Sequence, residues 1–224
     1  MIISHRHRFI FFAVPKTGTH SVRHALREHL AEDDLEQVGL FVHKRLPFPE
    51  LSRIGHGHLS ATQIKPVLGE ERFERYFKFA FVRNPYDRFV SYCAFMSRQS
   101  NVFETQPQGF MKHVIRDLRP FDHVLFRPQY EMLCNERGEL AMDFVGRVEQ
   151  LQNDYNLACA KIGIPSSSLA QINASRHRHY SDYYDDDLKA WVGAFYRRDI
   201  ELFGYAFNAA PAHNSPLGEP ALER

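Results

Sequence analysis

Twice in this chain an apolar segment runs through a tight polar turn into a helix-patterned stretch, and that succession limits what it can fold into. In the first instance, residues 9–14 (FIFFAV) are apolar without a break and end at Pro15-Lys16-Thr17-Gly18. An apolar run without alternation suits a strand buried on both faces, the habit of parallel sheets. Beyond Gly18, the residues Val22, Ala25, Leu26 and Leu30 fall on one helical stripe. In the second instance, residues 76–82 (YFKFAFV) predict a strand, and Arg83-Asn84-Pro85-Tyr86-Asp87 is its exit turn. Pro85 then opens a helix with Phe89, Val90, Cys93 and Met96 on its inner side.

Residues 37–43 (QVGLFVH) and 142–148 predict two further strands, the latter followed by a helix over 150–162. Short helices are expected at 61–68 and 70–75, and two or three over 107–135. A long amphipathic helix is expected over 185–203, with Asp185, Asp186 and Asp187 at the end where the helix dipole favours negative charge. Residues 173–186 read as loop. Alternating strands and helices predict an α/β fold, a parallel β-sheet flanked by helices. The length of 224 residues suits a single domain over 1–208, with a proline-containing, apolar-poor tail over 209–224 expected to be mobile.

Lysine and arginine number 28 against 27 acidic residues, a net charge of +1. That excludes a strongly basic nucleic-acid binder, so any anion must be caught by a local cluster. The cysteines, Cys93, Cys134 and Cys159, are far apart and form no CxxC pair. Neither a disulfide framework nor a thiolate metal site is suggested, and a reducing, cytoplasmic setting is expected. The apolar run at 9–14 is too short to span a membrane.

The segment Val14-Pro15-Lys16-Thr17-Gly18-Thr19-His20-Ser21 lies between a predicted buried strand and a predicted helix. Amides at a helix N-terminus lack intrahelical partners, and the dipole there favours an anion. Gly18 permits close approach of a phosphate; Thr17, Thr19 and Ser21 add hydroxyls, and Lys16 a point charge. The loop is not of the GxxxxGK[ST] kind, since Lys16 precedes Gly18, nor a GxGxxG dinucleotide loop. At the second strand end, Arg83 and the helix-borne Ser91 offer a guanidinium fork and a hydroxyl suited to a second phosphate. Asp87 is a competing ion-pair partner for Arg83. Arg88 is expected on a solvated helix face.

VPKTGTHS followed by FAFVRNPYDRFVSY resembles the paired signatures of sulfotransferases that use 3′-phosphoadenosine 5′-phosphosulfate (PAPS). FVGRVEQLQNDYN and RRDIELFGYAF resemble later segments of that family. The resemblance is closest to the heparan-sulfate 2-O and chondroitin-type carbohydrate branch and its bacterial relatives. It implies that Lys16 contacts the bridging oxygen of the donor, and that Thr17, Gly18, Thr19, His20 and Ser21 hold the 5′-phosphate. Arg83 and Ser91 would hold the 3′-phosphate. His20 stands where the family often has a small hydroxyl residue, which leaves the backbone cradle intact.

Between the two signatures lies Gly55-His56-Gly57-His58. On an extended strand, residues two apart point to one side, so His56 and His58 can enter one pocket, with Gly57 leaving room between them. Sulfuryl transfer to an alcohol needs a base, and an imidazole of pKa about 6.5 suits that at neutral pH. An HGH segment here also resembles the 2-O-sulfotransferase branch, where a histidine is the base. His58 is the nominee and His56 its neighbour. A carboxylate such as Glu50 or Glu104 is the alternative base, and no third ligand turns the histidine pair into a metal site. Late in the chain, Arg176 and Arg178 are candidates to close over cofactor phosphates, and Tyr180 to pack on adenine.

The expected activity is transfer of the sulfuryl group from PAPS to a hydroxyl of a saccharide or of a glycosylated or lipid metabolite, leaving 3′-phosphoadenosine 5′-phosphate (PAP), with no metal. The rival readings are a P-loop-type small-molecule or nucleotide kinase and a catalytically silent PAP-binding protein.

Overall fold

A computed structural model describes residues 1–39, 43–170 and 178–208. Its strands are β1 (Ile2–Ser4), β2 (Phe9–Phe12), β3 (Leu35–Glu36), β4 (Phe77–Val82) and β5 (Phe144–Arg147). They form a five-stranded sheet in the order β3-β1-β2-β4-β5. β2, β4 and β5 run parallel, with Phe11 opposite Phe79 and Phe79 opposite Phe144. β1 pairs antiparallel with β2 and with β3.

The helices of the first half are α1 (Thr19–Arg27), α2 (Pro49–Ser52), α3 (Ala61–Leu68), α4 (Glu70–Arg75), α5 (Pro85–Met96) and α6 (Val102–Thr105). Those of the second half are α7 (Pro107–Lys112), α8 (Tyr130–Leu133), α9 (Leu151–Ile162), α10 (Asp186–Phe195) and α11 (Arg197–Phe203). The chain has the α/β architecture that its sequence predicts.

The described residues fall into two compact units, one drawn from 1–82 and 129–172, the other from 83–128 and 173–212. The first unit holds the sheet. Phe9, Phe11, Phe79, Phe81 and Phe144 are buried together with Val22 and Leu26 of α1 and Tyr155 and Ala158 of α9. Their rings meet at angles rather than face to face, as Phe9 and Phe79 do with centroids 5.7 Å apart. Each buried phenylalanine contributes about 1.5–3 kcal/mol, an upper bound because unfolded chains already bury some surface. The second unit is helical. Phe89, Val90 and Cys93 of α5 pack with Phe126 and with Leu188, Val192 and Tyr196.

Local chemistry sets the element ends. Asn84 caps α5 by accepting from the Tyr86 amide at 3.0 Å, and Pro85 follows at N1. Ser60 and Gln63 form a reciprocal capping box on α3. Asp185 accepts from the Leu188 amide at 2.9 Å, the role expected at the start of the last helical stretch.

Five features depart from the expected pattern. β1 is a strand of three residues, Ile-Ile-Ser, too short to leave a periodic signature. In place of a strand over 37–43, the paired residues are Leu35 and Glu36, after which Val38 bridges Lys44; residues 40–42 lie outside the described set. His113–Leu118 winds as a π-helix, and Tyr180–Tyr183, inside the predicted loop, forms a 3-10 turn. The helix expected over 185–203 is broken at Tyr196 (φ −97°, ψ 20°), although its apolar register continues across the break. The tail from 209 lies outside the described residues. Among the described residues, no helix is long and apolar enough to cross a membrane.

Candidate active site

The chain leaves β2 through buried Ala13 and Val14 and turns at Lys16-Thr17-Gly18 into α1. Lys16 (φ 65°) and Gly18 (φ 69°) both adopt left-handed backbone. Glycine does so freely, whereas a lysine there carries strain of roughly 1–2 kcal/mol. A Cβ on Gly18 would also meet Leu151 Cδ2 at 2.8 Å, so a larger residue would both strain the left-handed backbone and make Leu151 shift. The Thr17 side chain is fully buried and donates its hydroxyl to the Val14 carbonyl at 2.9 Å, which braces the turn from within. No side chain caps α1, and its first turn contains no acidic residue. A helix N-terminus beside a lysine, with no carboxylate in its first turn, has the chemistry to cradle an anion.

One turn further on, α1 carries cations. Glu36 gathers two of them, Arg27 Nη2 at 2.8 Å and the buried Arg23 at 3.7 Å, together with Lys44 Nζ from outside the helix at 3.5 Å. His20 is half-buried. Burial first, then the charges of Arg23, Lys16 and Arg27, lower its pKa and favour the neutral ring.

The two histidines stand in the same unit as this cradle. Residues 54–57 form successive bends rather than the extended strand assumed from the sequence. Their rings are nonetheless neighbours, with centroids 5.8 Å apart, and the His58 amide donates to His56 Nδ1 at 3.2 Å. His58 Nδ1 lies 2.6 Å from the Ala13 carbonyl oxygen, three residues before Lys16. A carbonyl only accepts, so Nδ1 carries the proton and Nε2 the lone pair. Burial lowers the His58 pKa to about 3, against the opposing pull of the Ala13 carbonyl. The ring is therefore neutral at physiological pH with its lone pair on Nε2, a weaker base than the imidazole of pKa about 6.5 expected from the sequence. The carboxylate alternatives, Glu50 on α2 and Glu104 on α6, are both exposed.

In the second unit, Arg83 Nε pairs with Asp87 Oδ2 at 2.7 Å, the helix-turn ion pair foreseen as its competing role. Ser91 is buried on α5. Arg88 corrects the expectation of a solvated face. It is 1% exposed, and its Nη2 donates to the carbonyls of Leu125 and Arg127 at 3.1 and 2.9 Å, tying α5 to that loop. A charged side chain can be buried when its donors find carbonyls, and the sequence pattern does not reveal that. Tyr180 is buried in the helical core, with its hydroxyl bonded to the Phe207 carbonyl and Asn84 Nδ2 as a further donor to it. Arg178 lies 5.3 Å over the Tyr183 ring and lines a cavity of about 380 Å³ with Gln106, Gln108 and Asp182. Arg176 lies outside the described residues.

A family model described as "Sulfotransferase family" matches residues 1–206. The chain belongs to the sulfotransferase family. An uncharacterized protein of Archaeoglobus fulgidus is 30% identical over 124 residues, covering 54% of this chain and 97% of that protein. No solved structure matches. Family membership places this sulfotransferase among transferases of the sulfuryl group.

Sequence reasoning missed two features around the candidate base. The Ala13 carbonyl fixes the His58 ring, and Gln37 holds the segment that carries it. A backbone oxygen leaves no trace in a sequence. Gln37 left a weak one, a polar residue opening an otherwise apolar stretch.

Proposed function

We propose that this sulfotransferase moves the sulfuryl group from PAPS to a hydroxyl of a saccharide, or of a glycosylated or lipid metabolite, with His58 as general base. The observation that carries the reading is the 2.6 Å approach of His58 Nδ1 to the Ala13 carbonyl. It sets a lone pair on Nε2 in the unit that also holds the Lys16 turn.

The backbone of 17–21 would hold the 5′-phosphate. Thr17 would contribute its amide, because its hydroxyl donates to Val14. Arg83 and Ser91 would hold the 3′-phosphate, with Arg178 and Arg176 as a basic loop near the nucleotide. During transfer, His58 Nε2 takes the acceptor's hydroxyl proton while its oxygen bonds to sulfur. The bond from sulfur to the bridging phosphate oxygen breaks, and its electron pair stays on PAP. Lys16 and the α1 N-terminus stabilise the charge that develops there. Such a reaction rests mainly on positioning and preorganised electrostatics. The cysteines are free and buried, which suits a reducing cytoplasm.

A screen of hydroxylated acceptors with radiolabelled PAPS tests the reading, alongside calorimetry with PAP. Label is expected on at least one acceptor, and the rate should be unchanged by EDTA. Lys16→Ala should lower turnover about 10²–10³-fold, as loss of an oxyanion donor does. His58→Ala should lower it about 10²–10⁴-fold while sparing PAP affinity. No heat with PAP, or ATP-dependent transfer requiring Mg²⁺, would overturn the reading.

A further inference from the structure

We infer that Gln37 is a positioning residue for His58: its buried carboxamide fixes the segment bearing both histidines, and through it the ring that accepts the proton. This rests on His58 being the base.

Gln37 is 0% exposed. Its Nε2 lies within 3.0 Å of the Leu51 carbonyl, 3.1 Å of the Ile54 carbonyl and 2.9 Å of the His56 carbonyl. Its Oε1 accepts from the Leu46 amide at 3.3 Å. A carboxamide has two N–H donors, so three carbonyls converging on it share them. One side chain thus satisfies backbone groups from Leu46 to His56, a stretch that includes irregular bends and would otherwise bury polar atoms without partners.

The main chain closes the same contact. A Cβ at Gly57 would stand 2.1 Å from the Gln37 carbonyl oxygen, so the residue between the two histidines is pressed directly against Gln37. Gln37 itself is anchored to the sheet, next to Glu36 of β3, and its amide donates to the Met1 carbonyl at 3.1 Å. The path is therefore short and made of hydrogen bonds: sheet edge, Gln37, His56 carbonyl, His58 amide to His56 Nδ1, and His58 Nδ1 to Ala13. An apolar side chain of equal volume would fill the space yet remove the bonds from Nε2 to the Leu51, Ile54 and His56 carbonyls, of which Leu51 keeps the Ile54 amide at 3.0 Å, so the carboxamide head and not its bulk is what ties the segment.

The experiment replaces Gln37 by methionine, which keeps volume and removes the hydrogen bonds. Nitrogen-15 spectra of histidine-labelled protein report the tautomer of His58, whose signals are assigned by their loss in His58→Ala. In the parent protein His58 should show a protonated Nδ1 and an unprotonated Nε2; in Gln37→Met the two tautomers should interconvert and average. PAP affinity by calorimetry should stay within about twofold, since the cradle at 16–21 is untouched. Turnover on the acceptor found with radiolabelled PAPS should fall about 10²-fold, the effect of an ångström-scale misplacement. Added to His58→Ala, the same substitution should cost no further turnover.

An unchanged tautomer in Gln37→Met overturns the inference, as does an equal further loss in the double variant. If Gln37→Met fails to bind PAP, Gln37→Asn, which keeps the carboxamide one methylene short, is read by the same spectra and judged by the same outcomes. Undiminished turnover in His58→Ala would instead overturn the base assignment, and the tautomer spectra would still decide whether Gln37 sets the ring.

Discussion

Lys16 holds a backbone conformation (φ 65°) that glycine would adopt without strain, and under the proposed function its side chain serves at that point of the turn. Lys16→Gly should therefore raise stability by up to about 1–2 kcal/mol in urea unfolding while lowering turnover as far as Lys16→Ala does. An equal loss of stability in both variants would refute it. His58 gives a second prediction. Its folded pKa of about 3 lies below the unfolded value near 6.5, so the accepting form persists as acidity rises. The kcat/KM profile should show no acid limb near pH 6.5. The unfolded ring binds its proton through that range while the folded ring does not, so this contribution to stability is present above pH 6.5 and is lost as pH falls toward 3. The gap in urea midpoint between the parent and His58→Ala should narrow from pH 7.5 to pH 4.5. The sequence showed Lys16, Gly18 and the histidine pair because each is an unusual residue in a telling place. It hid the role of Arg88, whose charge suggested solvent until its carbonyl partners were seen.

Elements were legible where one physical signal dominated. β2 and β4 are unbroken apolar runs, and α5 begins at Asn84-Pro85, a cap and an N1 proline in succession. They failed to show where the signal was short or compensated, as in the three-residue β1 and the break at Tyr196, across which the apolar stripe stays in register. The capping box on α3 was unread yet measurable. Ser60 accepts from the Gln63 amide, and its own amide donates to Gln63 Oε1 at 2.9 Å. Ser60→Ala should cost about 1 kcal/mol and lower Tm by roughly 2–4 °C for a chain of this size, as calorimetry would show. Gln63→Ala should lose part of the same energy, and the two losses should fail to add.

At the scale of the whole molecule, the sorting of the described residues into two cores left no sign in the sequence, because Arg83-Asn84-Pro85-Tyr86-Asp87 reads as an ordinary strand-to-helix turn. Arg83 opens the second unit directly after the last residue of β4. If the nucleotide is held as proposed, PAP at a hundred times its Kd should add about 2.7 kcal/mol to stability. In Arg83→Ala the same PAP concentration should give a smaller rise in Tm, and an undiminished rise would remove Arg83 from the nucleotide site. The helical unit is also discontinuous in the chain, built from residues 83–128 and 173–212. On the ribosome, α5 emerges well before α10, yet Phe89, Val90 and Cys93 are covered in part by Leu188, Val192 and Tyr196. With synthesis at roughly 5–20 residues per second, that apolar helix face waits several seconds for its partners, an interval in which chaperones have a surface to hold.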